Sequence, residues 1–283
     1  MQVGVVGLGN MGRVLAANLV ASGHDVVATD LAGPGACPEG ATFVPGVPEV
    51  ARGAAAIVLS LPDGYASEQV AEGIAATTGR LTTHVVDTST VGVAAARAID
   101  VLLADVGIAY VDAPVSGGVA GARARTLVVM YAAPEAVCEV VEPVLAGLSD
   151  RRRHVGVQAG MAQALKLANN FLSAVALAAT SEAVAFGRSV GLDLATMLDV
   201  LNASSGQSAA SRDKFPDHVL TGRYAAGFTN SLMAKDLRLY LHAVEAEGGP
   251  AVLGPLTAAV WDGFAAAEPG ADFTRIYPFL EAQ

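Results

Sequence analysis

Apolar positions along this chain fall into two regimes. Through the first half, short apolar runs alternate with stretches of helical period, and beyond about residue 157 only the helical period remains. The runs at 2–6 (QVGVV), 25–30 (DVVATD), 54–60 (AAAIVLS), 83–89 (THVVDTS), 108–111 and 126–132 (TLVVMYA) read as strands. Strands this short and apolar, with helices between them, predict a mostly parallel sheet covered on both faces. Helical repeats then occupy 158–190, 194–203, 231–247 and 251–266. The predicted architecture is an α/β domain over 1–156 followed by an all-helical domain over 157–283, opened by one long helix.

Within that long helix the polar pattern is unusual. Lys166 is the only formally charged residue between Arg153 and Glu182. Gln163, Lys166, Asn169, Asn170 and Ser173 are spaced three and four apart and share one face. An ordinary solvent face carries several Glu, Lys or Arg residues. This stripe of amides, a hydroxyl and one ammonium suits a cleft better than bulk water. An ammonium withdrawn from water has its pKa lowered, which makes Lys166 a candidate proton donor and acceptor. The competing reading is a lysine lying along the helix with its head in solvent.

The segment Gly7-Leu8-Gly9-Asn10-Met11-Gly12 follows the first strand and opens a helix, and a second strand ends at Asp30. That is the order of a Rossmann dinucleotide fingerprint. The first glycine makes the tight turn, the second admits a pyrophosphate close to the backbone, and the third lets helix and strand pack. The anion then faces free N–H groups at a helix N-terminus. A carboxylate such as Asp30 bonds the ribose 2′-hydroxyl and repels a 2′-phosphate. Leu31-Ala32-Gly33 supply no arginine to receive such a phosphate, so NAD is expected over NADP. A second polar cluster, Asp112-Ala113-Pro114-Val115-Ser116-Gly117-Gly118, ends a later strand. Ser116 and the two glycines can present a hydroxyl and successive N–H groups to a carboxylate, or simply form a turn.

Composition narrows the partners. The 283 residues are 53% hydrophobic and 16% charged, which describes a packed globular chain. A formal net charge of −10 argues against nucleic acid or an anionic membrane. Cys37 and Cys138 form neither metal-ligand spacing nor a disulfide framework, so a reducing cytoplasm is expected and no metal. No targeting segment is read at the N-terminus. No apolar run is expected to reach the roughly 18 residues of a membrane span, because Lys166, the Asn pair and Glu182 interrupt the best candidate. His24 reads as a cap closing the first helix, and Trp261 as core packing.

Four motifs in order, GLGNMGRVLAANLVASGH, DAPVSGG, Lys166-x-x-Asn169-Asn170 and Lys235-Asp236-Leu237, resemble the β-hydroxyacid dehydrogenase family over nearly the whole chain. The resemblance implies NAD(P)-dependent oxidation of a small β-hydroxy acid to its semialdehyde, of the 3-hydroxyisobutyrate dehydrogenase type. It implies a cleft active site and a homodimer or homotetramer formed through the helical domain. By the same resemblance Lys166 is catalytic, supported by Asn169, and Asn170 holds substrate. Ser116, Gly117 and Gly118 bind the substrate carboxylate. Lys235, oriented by Asp236, approaches nicotinamide and substrate, while Leu61, Pro62 and Thr90 touch the cofactor.

The chain departs from the family pattern in three places: Ala162 replaces a glycine, Arg125 (with Arg123 nearby) replaces another, and Ser204-Ser205-Gly206-Gln207-Ser208 lacks an arginine and an aromatic. Arg123 and Arg125 read as solvated loop arginines, with an anionic ligand as the alternative. Asn169-Asn170 in place of His-Asn disfavours phosphogluconate as substrate. The alternatives to a hydroxyacid dehydrogenase are an imine reductase-like enzyme, against which Lys166 argues, and a non-catalytic dinucleotide-binding protein.

Overall fold

Residues 1–283 are described by a computed structural model. The strands are β1 (Gln2–Val6), β2 (Asp25–Thr29), β3 (Ala41–Phe43), β4 (Ala56–Leu59), β5 (His84–Asp87), β6 (Ala109–Asp112), β7 (Val115–Ser116), β8 (Val128–Ala132) and β9 (Arg151–Gly156). They form one sheet in the order β3-β2-β1-β4-β5-β6-β8-β7, with β9 along the other side of β8. From β3 through β6 every pairing is parallel. The β8 strand then runs antiparallel to β6 and β7, and β9 parallel to β8.

Alternation along the strands explains the two-faced core. In β4, Val58 faces one cluster, with Val3 and Val5 of β1, while Ile57 and Leu59 face the other. Leu15 and Leu19 of α1 (Gly12–Ala21) cover the first face with Val141, Val144 and Leu145 of α6 (Glu135–Leu148). The second face takes Val50 of α2 (Val47–Gly53), Ile74 of α3 (Gly64–Ala76) and Ile99 and Leu103 of α4 (Val93–Ala104). A short α5 (Gly118–Arg123) connects β7 to β8. A sheet wound on both faces leaves nearly every strand residue apolar, which is why those runs were legible.

Three strands carry no such signal. β3 has three residues and β7 two, too few to show a period. β9 reads Arg-Arg-Arg-His-Val-Gly, with half its residues exposed and none buried, a charged edge strand of the kind that blocks further strand addition.

The helical part consists of α7 (Met161–Ser189), α8 (Leu194–Asn202), a π-helical stretch over Ala210–Val219, α9 (Asn230–Ala246), α10 (Gly254–Ala267), a 3₁₀ turn at Phe273–Arg275 and α11 (Ile276–Glu281). Trp261, Phe215, Phe264, Phe273 and Ile276 pack there with Leu177, Val184, Leu198 and Leu237. The Asp193 carboxylate caps α8 by accepting from Thr196 N–H at 2.9 Å, and the Thr229 hydroxyl caps α9 by accepting from Leu232 N–H at 3.3 Å. Trp261 is fully buried, the core role expected of it.

Compactness divides the chain into Met1–Lys166 and Leu167–Gln283. The division falls ten residues after the expected boundary at 156/157, inside α7, because the first turn of α7 is hydrogen-bonded into the sheet, as described below. One expectation is corrected. Lys166 and the Asn pair do not interrupt the apolar stretch: α7 runs unbroken for 29 residues, and an 18-residue window with mean hydropathy 1.3 makes it long and apolar enough, by length and composition, to cross a membrane. His24 closes α1 as expected, through its backbone: its N–H bonds Leu19 C=O at 3.1 Å behind Gly23 (φ 83), while its Nε2 lies 3.2 Å from the Pro143 carbonyl.

Candidate active site

The glycine turn between β1 and α1 lies where the strand order reverses, between β1 and β4. In open α/β sheets this is the place, at the carboxyl ends of the strands, where ligands bind. Gly7 has φ 94, and a Cβ there would lie 2.4 Å from the Ser60 carbonyl oxygen. A Cβ on Gly12 would lie 2.0 Å from the Gly7 oxygen, so helix and strand approach as closely as backbone allows. Gly9 differs: a Cβ there would meet nothing within 4 Å. Its missing side chain serves no internal contact and leaves open space against the backbone. The N-terminus of α1 has no side-chain cap and no acidic residue in its first turn, so it stays receptive to an anion.

Asp30 follows β2 directly and acts locally as well. Its Oδ2 accepts from Leu8 N–H at 2.6 Å and its Oδ1 from Ala32 N–H at 2.7 Å. The carboxylate therefore braces the glycine turn in addition to any contact with a ribose. Leu61 and Pro62 follow β4, and Thr90 follows β5, at the same end of the sheet. Ser89 Oγ joins those two loops by accepting from Leu61 N–H at 2.8 Å.

Asp112 and Gln163 form the main polar structure of the first unit. Asp112 Oδ2 accepts three backbone N–H groups at the start of α7: Gly160 at 3.0 Å, Ala162 at 3.1 Å and Gln163 at 3.1 Å. One carboxylate oxygen thus satisfies most of the donors that a helix N-terminus leaves unpaired. Gln163 Nε2 donates to Asp112 Oδ1 at 2.8 Å and to Ser89 C=O at 3.1 Å. Gln163 Oε1 accepts from Val91 and Gly92 N–H at 3.0 and 3.1 Å, at the start of α4. Gln163 is fully buried, so it is an anchor rather than the cleft-facing member of the stripe that its spacing implied. Burial pushes the Asp112 carboxyl up to about 6, its hydrogen bonds from Gln163 and Gly160 pull it down, and the neighbouring Asp87 charge adds to the rise. Asp87 sits opposite Asp112 in the β5/β6 register, fully buried and likewise raised by burial.

Lys166 lies one turn beyond Gln163 on α7 and is 7% exposed, so the long helix does withdraw its ammonium from solvent. Ser116 ends β7, and Gly117 and Gly118 follow with φ 129 and 65, a conformation that favours glycine at both positions. Arg125, after α5, corrects the solvated-loop reading. It holds φ 56, donates to the Ala146 and Gly147 carbonyls at 2.8 and 2.9 Å, and pairs with Asp150 at 3.2 Å. It caps the C-terminus of α6, and that capping offsets the strained backbone where a glycine would sit free of strain.

Asn170, Asp236 and Lys235 come together in the second unit. Asn170 Nδ2 donates to Asp236 Oδ2 at 2.6 Å, and Lys235 Nζ pairs with Asp236 Oδ1 at 3.4 Å. Asn169 Nδ2 donates to Asn170 Oδ1 at 3.1 Å. Asn170 and Asp236 are buried at 6% and 3% exposure, whereas Lys235 keeps 24% of its side chain exposed. Asp236 thus touches Lys235, and Asn170 is tied to Asp236. Neither Asp112, whose partners lie about 50 residues away, nor Ser89 announced its supporting part in sequence.

A tight glycine turn at the point where the strand order reverses, an acidic residue closing the second strand and a buried lysine are the features expected of a dinucleotide-dependent oxidoreductase. Residues 2–156 match the family profile "NAD binding domain of 6-phosphogluconate dehydrogenase", and 160–280 match "NAD-binding of NADP-dependent 3-hydroxyisobutyrate dehydrogenase". The chain is 33% identical to a probable 3-hydroxyisobutyrate dehydrogenase of Mycobacterium tuberculosis, covering 99% of this chain and 98% of that one. A solved structure of the M. tuberculosis 3-hydroxyisobutyrate dehydrogenase with L-serine superposes with a TM-score of 0.92 at 33% identity, over 99% and 98% of the two chains. A 2-(hydroxymethyl)glutarate dehydrogenase of Eubacterium barkeri is 34% identical over 93% of this chain and 89% of its own. The chain belongs to the β-hydroxyacid dehydrogenase family. It is an NAD(P)-dependent hydroxyacid oxidoreductase.

Proposed function

We propose that this enzyme interconverts a small β-hydroxy acid and its semialdehyde with Lys166 as general acid and base, and that NAD is the favoured cofactor. The observation that carries this reading is the placing of Lys166: a buried ammonium one helical turn after the capped anchor Gln163 and one turn before Asn170. In oxidation, Lys166 as a neutral amine accepts the proton of the substrate hydroxyl, and in reduction its ammonium returns a proton to the forming alkoxide. Ser116 and the amides of Gly117 and Gly118 hold the substrate carboxylate. Asn170 and Lys235, joined through Asp236, position the remaining polar groups. The bound dinucleotide supplies the hydride acceptor or donor. Gly7, Leu8, Gly9, Asn10, Met11 and Gly12 hold its pyrophosphate and Asp30 its ribose, with Leu61, Pro62 and Thr90 alongside.

The open space at Gly9 supports that cofactor site and gives it a test. Gly9→Ala adds a methyl group that meets no protein atom, so thermal stability stays within about 1 °C. NAD affinity, read by calorimetry, falls at least about tenfold, because the added methyl occupies the pyrophosphate's approach. Gly12→Ala behaves oppositely, lowering stability outright through its contact with Gly7. Unchanged NAD affinity in Gly9→Ala would remove the pyrophosphate from this turn.

The reading as a whole is tested by initial rates with NAD and NADP on 3-hydroxyisobutyrate, glycerate, 3-hydroxypropionate, serine and 2-(hydroxymethyl)glutarate. Faster turnover with NADP overturns the role given to Asp30, and failure of every acid overturns the substrate class. The same reading makes the chain a cytoplasmic homodimer or homotetramer. Leu172, Phe186 and Val190 on and beside α7, 65%, 71% and 65% exposed, support burial against another copy.

A further inference from the structure

Gln163 joins two stretches of chain to which the proposed function gives different tasks. One is the loop after β5, which carries Thr90 on the cofactor side. The other is α7, which carries Lys166 one turn beyond Gln163. A primary amide offers two N–H donors and two acceptor lone pairs. In Gln163 all four are taken: Nε2 donates to Ser89 C=O at 3.1 Å and to Asp112 Oδ1 at 2.8 Å, and Oε1 accepts from Val91 and Gly92 N–H at 3.0 and 3.1 Å. Three of the four partners belong to the loop, and the fourth is the carboxylate that caps α7. Ser89 carries the connection further. Its N–H donates to Asp87 Oδ1 at 2.9 Å, and its Oγ accepts from Leu61 N–H at 2.8 Å, in the loop after β4. The two cofactor-side loops and the first turn of α7 are thus one hydrogen-bonded piece within the compact unit Met1–Lys166.

Other helices of this chain are capped from the residue just before them: Asp63 caps α3 and Asp193 caps α8. Here one amide from α7 serves the start of α4 and the Asp112 cap together, which ties the position of one to that of the other. Its orientation is fixed as well. Turned over, the amide would set its N–H groups against two backbone N–H groups and its oxygen against a carboxylate. Gln163 is fully buried, so bonds lost there are not exchanged for bonds to bulk water. The titratable groups around it are Asp112 of β6, in direct contact, Asp87 of β5, to which Tyr110 Oη donates at 3.3 Å, and Lys166 further along α7.

We propose that Gln163 is a positioning residue for the reaction: its side-chain amide holds the cofactor-side loop 89–92 and the Lys166 turn of α7 in one register, so that the lysine is aligned to the dinucleotide. This inference rests on the proposed roles of Lys166 and the glycine turn and adds the group that aligns them.

The first test compares kcat, KM and NAD affinity in Gln163→Met and Gln163→Glu, with Lys166→Ala measured alongside. Rates are expressed per NAD-binding site counted by calorimetry, so that misfolded protein drops out of the comparison. Gln163→Met fills similar space without hydrogen bonds. Its kcat falls about 10- to 100-fold, the usual effect of a small misplacement, while NAD affinity stays within about threefold. Gln163→Glu supplies the signature. Protonated, its carboxyl keeps a donor for Asp112 or Ser89 and an acceptor for Val91 and Gly92. Ionised, it has no donor and faces the Asp112 carboxylate. Its kcat relative to wild type therefore rises from pH 8 to pH 5.5 by at least about fivefold more than the same ratio for Gln163→Met. A wild-type kcat in Gln163→Met, or no such extra rise in Gln163→Glu, overturns the proposal.

The second test uses the wild type alone, so it stands even where the variants fold poorly. Hydrogen exchange followed by mass spectrometry shows bound NAD slowing exchange at residues 89–92 and, through Gln163, at 160–166. Protection of the loop without protection of the helix start overturns this inference and leaves the cofactor site standing. Loss of rate in Lys166→Ala beside full rate in Gln163→Met likewise sinks this inference alone. Full rate in Lys166→Ala, or no binding of NAD, sinks the proposed function and this inference with it.

Discussion

Replacing Lys166 by alanine lowers kcat by about 10²- to 10⁴-fold, the usual worth of a positioned proton-transfer group, and leaves NAD affinity within about threefold. The two effects separate because Lys166 lies on α7, whereas the proposed dinucleotide site is the turn after β1 together with Asp30. Alanine is the best helix former, so α7 persists through the substitution. Lys166→Arg sharpens the result. It keeps a cation in place, but a guanidinium does not give up its proton near neutral pH. It therefore stays inactive in oxidation if proton transfer is the role, and recovers substantially if charge alone is the role. Small primary amines added to Lys166→Ala restore part of the rate, more so as pH rises and the free base accumulates. Retention of most of the wild-type rate in Lys166→Ala ends the assignment.

Asp112→Ala has the second large effect, on stability and through it on rate. The substitution strands three backbone N–H groups and the Gln163 amide, all buried. Each orphaned donor costs roughly 1–3 kcal/mol, and relief of the buried charge offsets part of the sum, so a net loss of about 3 kcal/mol at pH 7 is expected. The pH dependence carries the signature. The Asp112 carboxyl titrates near 6 in the folded protein, against an ordinary value of 3.8. A raised carboxyl pKa means that the folded state binds the proton more tightly. Its contribution is therefore greatest below pH 4 and declines as pH rises toward 6, by up to about 3 kcal/mol. The alanine variant lacks that contribution, so the stability gap between the two proteins widens on acidification from pH 7 to pH 4. Denaturant titrations at three pH values measure it, and a constant gap removes Asp112 from the account. Because Lys166 is held one turn beyond this cap, kcat of the variant falls as well while it remains folded.

How much of this was legible in sequence varied with the range of the interactions. The parallel sheet, the glycine turn and the long helix follow from local apolar period and spacing, and the structure has all three. β9 was not legible, because an edge strand with one side open needs no apolar alternation, and its three arginines look like a loop. Gln163 was placed on the right face of α7 but in the wrong surroundings. Spacing identifies a shared face, not what covers it, and its partners Asp112, Ser89, Val91 and Gly92 lie 51 to 74 residues away. Arg125 failed for a related reason: its substitution for a glycine was visible, but the α6 carbonyls that reward it lie more than twenty residues on.

The unbroken course of α7 through Gln163, Lys166 and Asn170 has a consequence for how this chain tolerates change in length. Each residue of an α-helix advances the next by about 100°. Insertion of a single residue between the fixed anchor at 163 and the lysine at 166 would swing the ammonium to a different side of the helix, and deletion would swing it the other way. Ala164 and Leu165, both exposed, leave room to vary in identity. Their number is as constrained as the lysine itself.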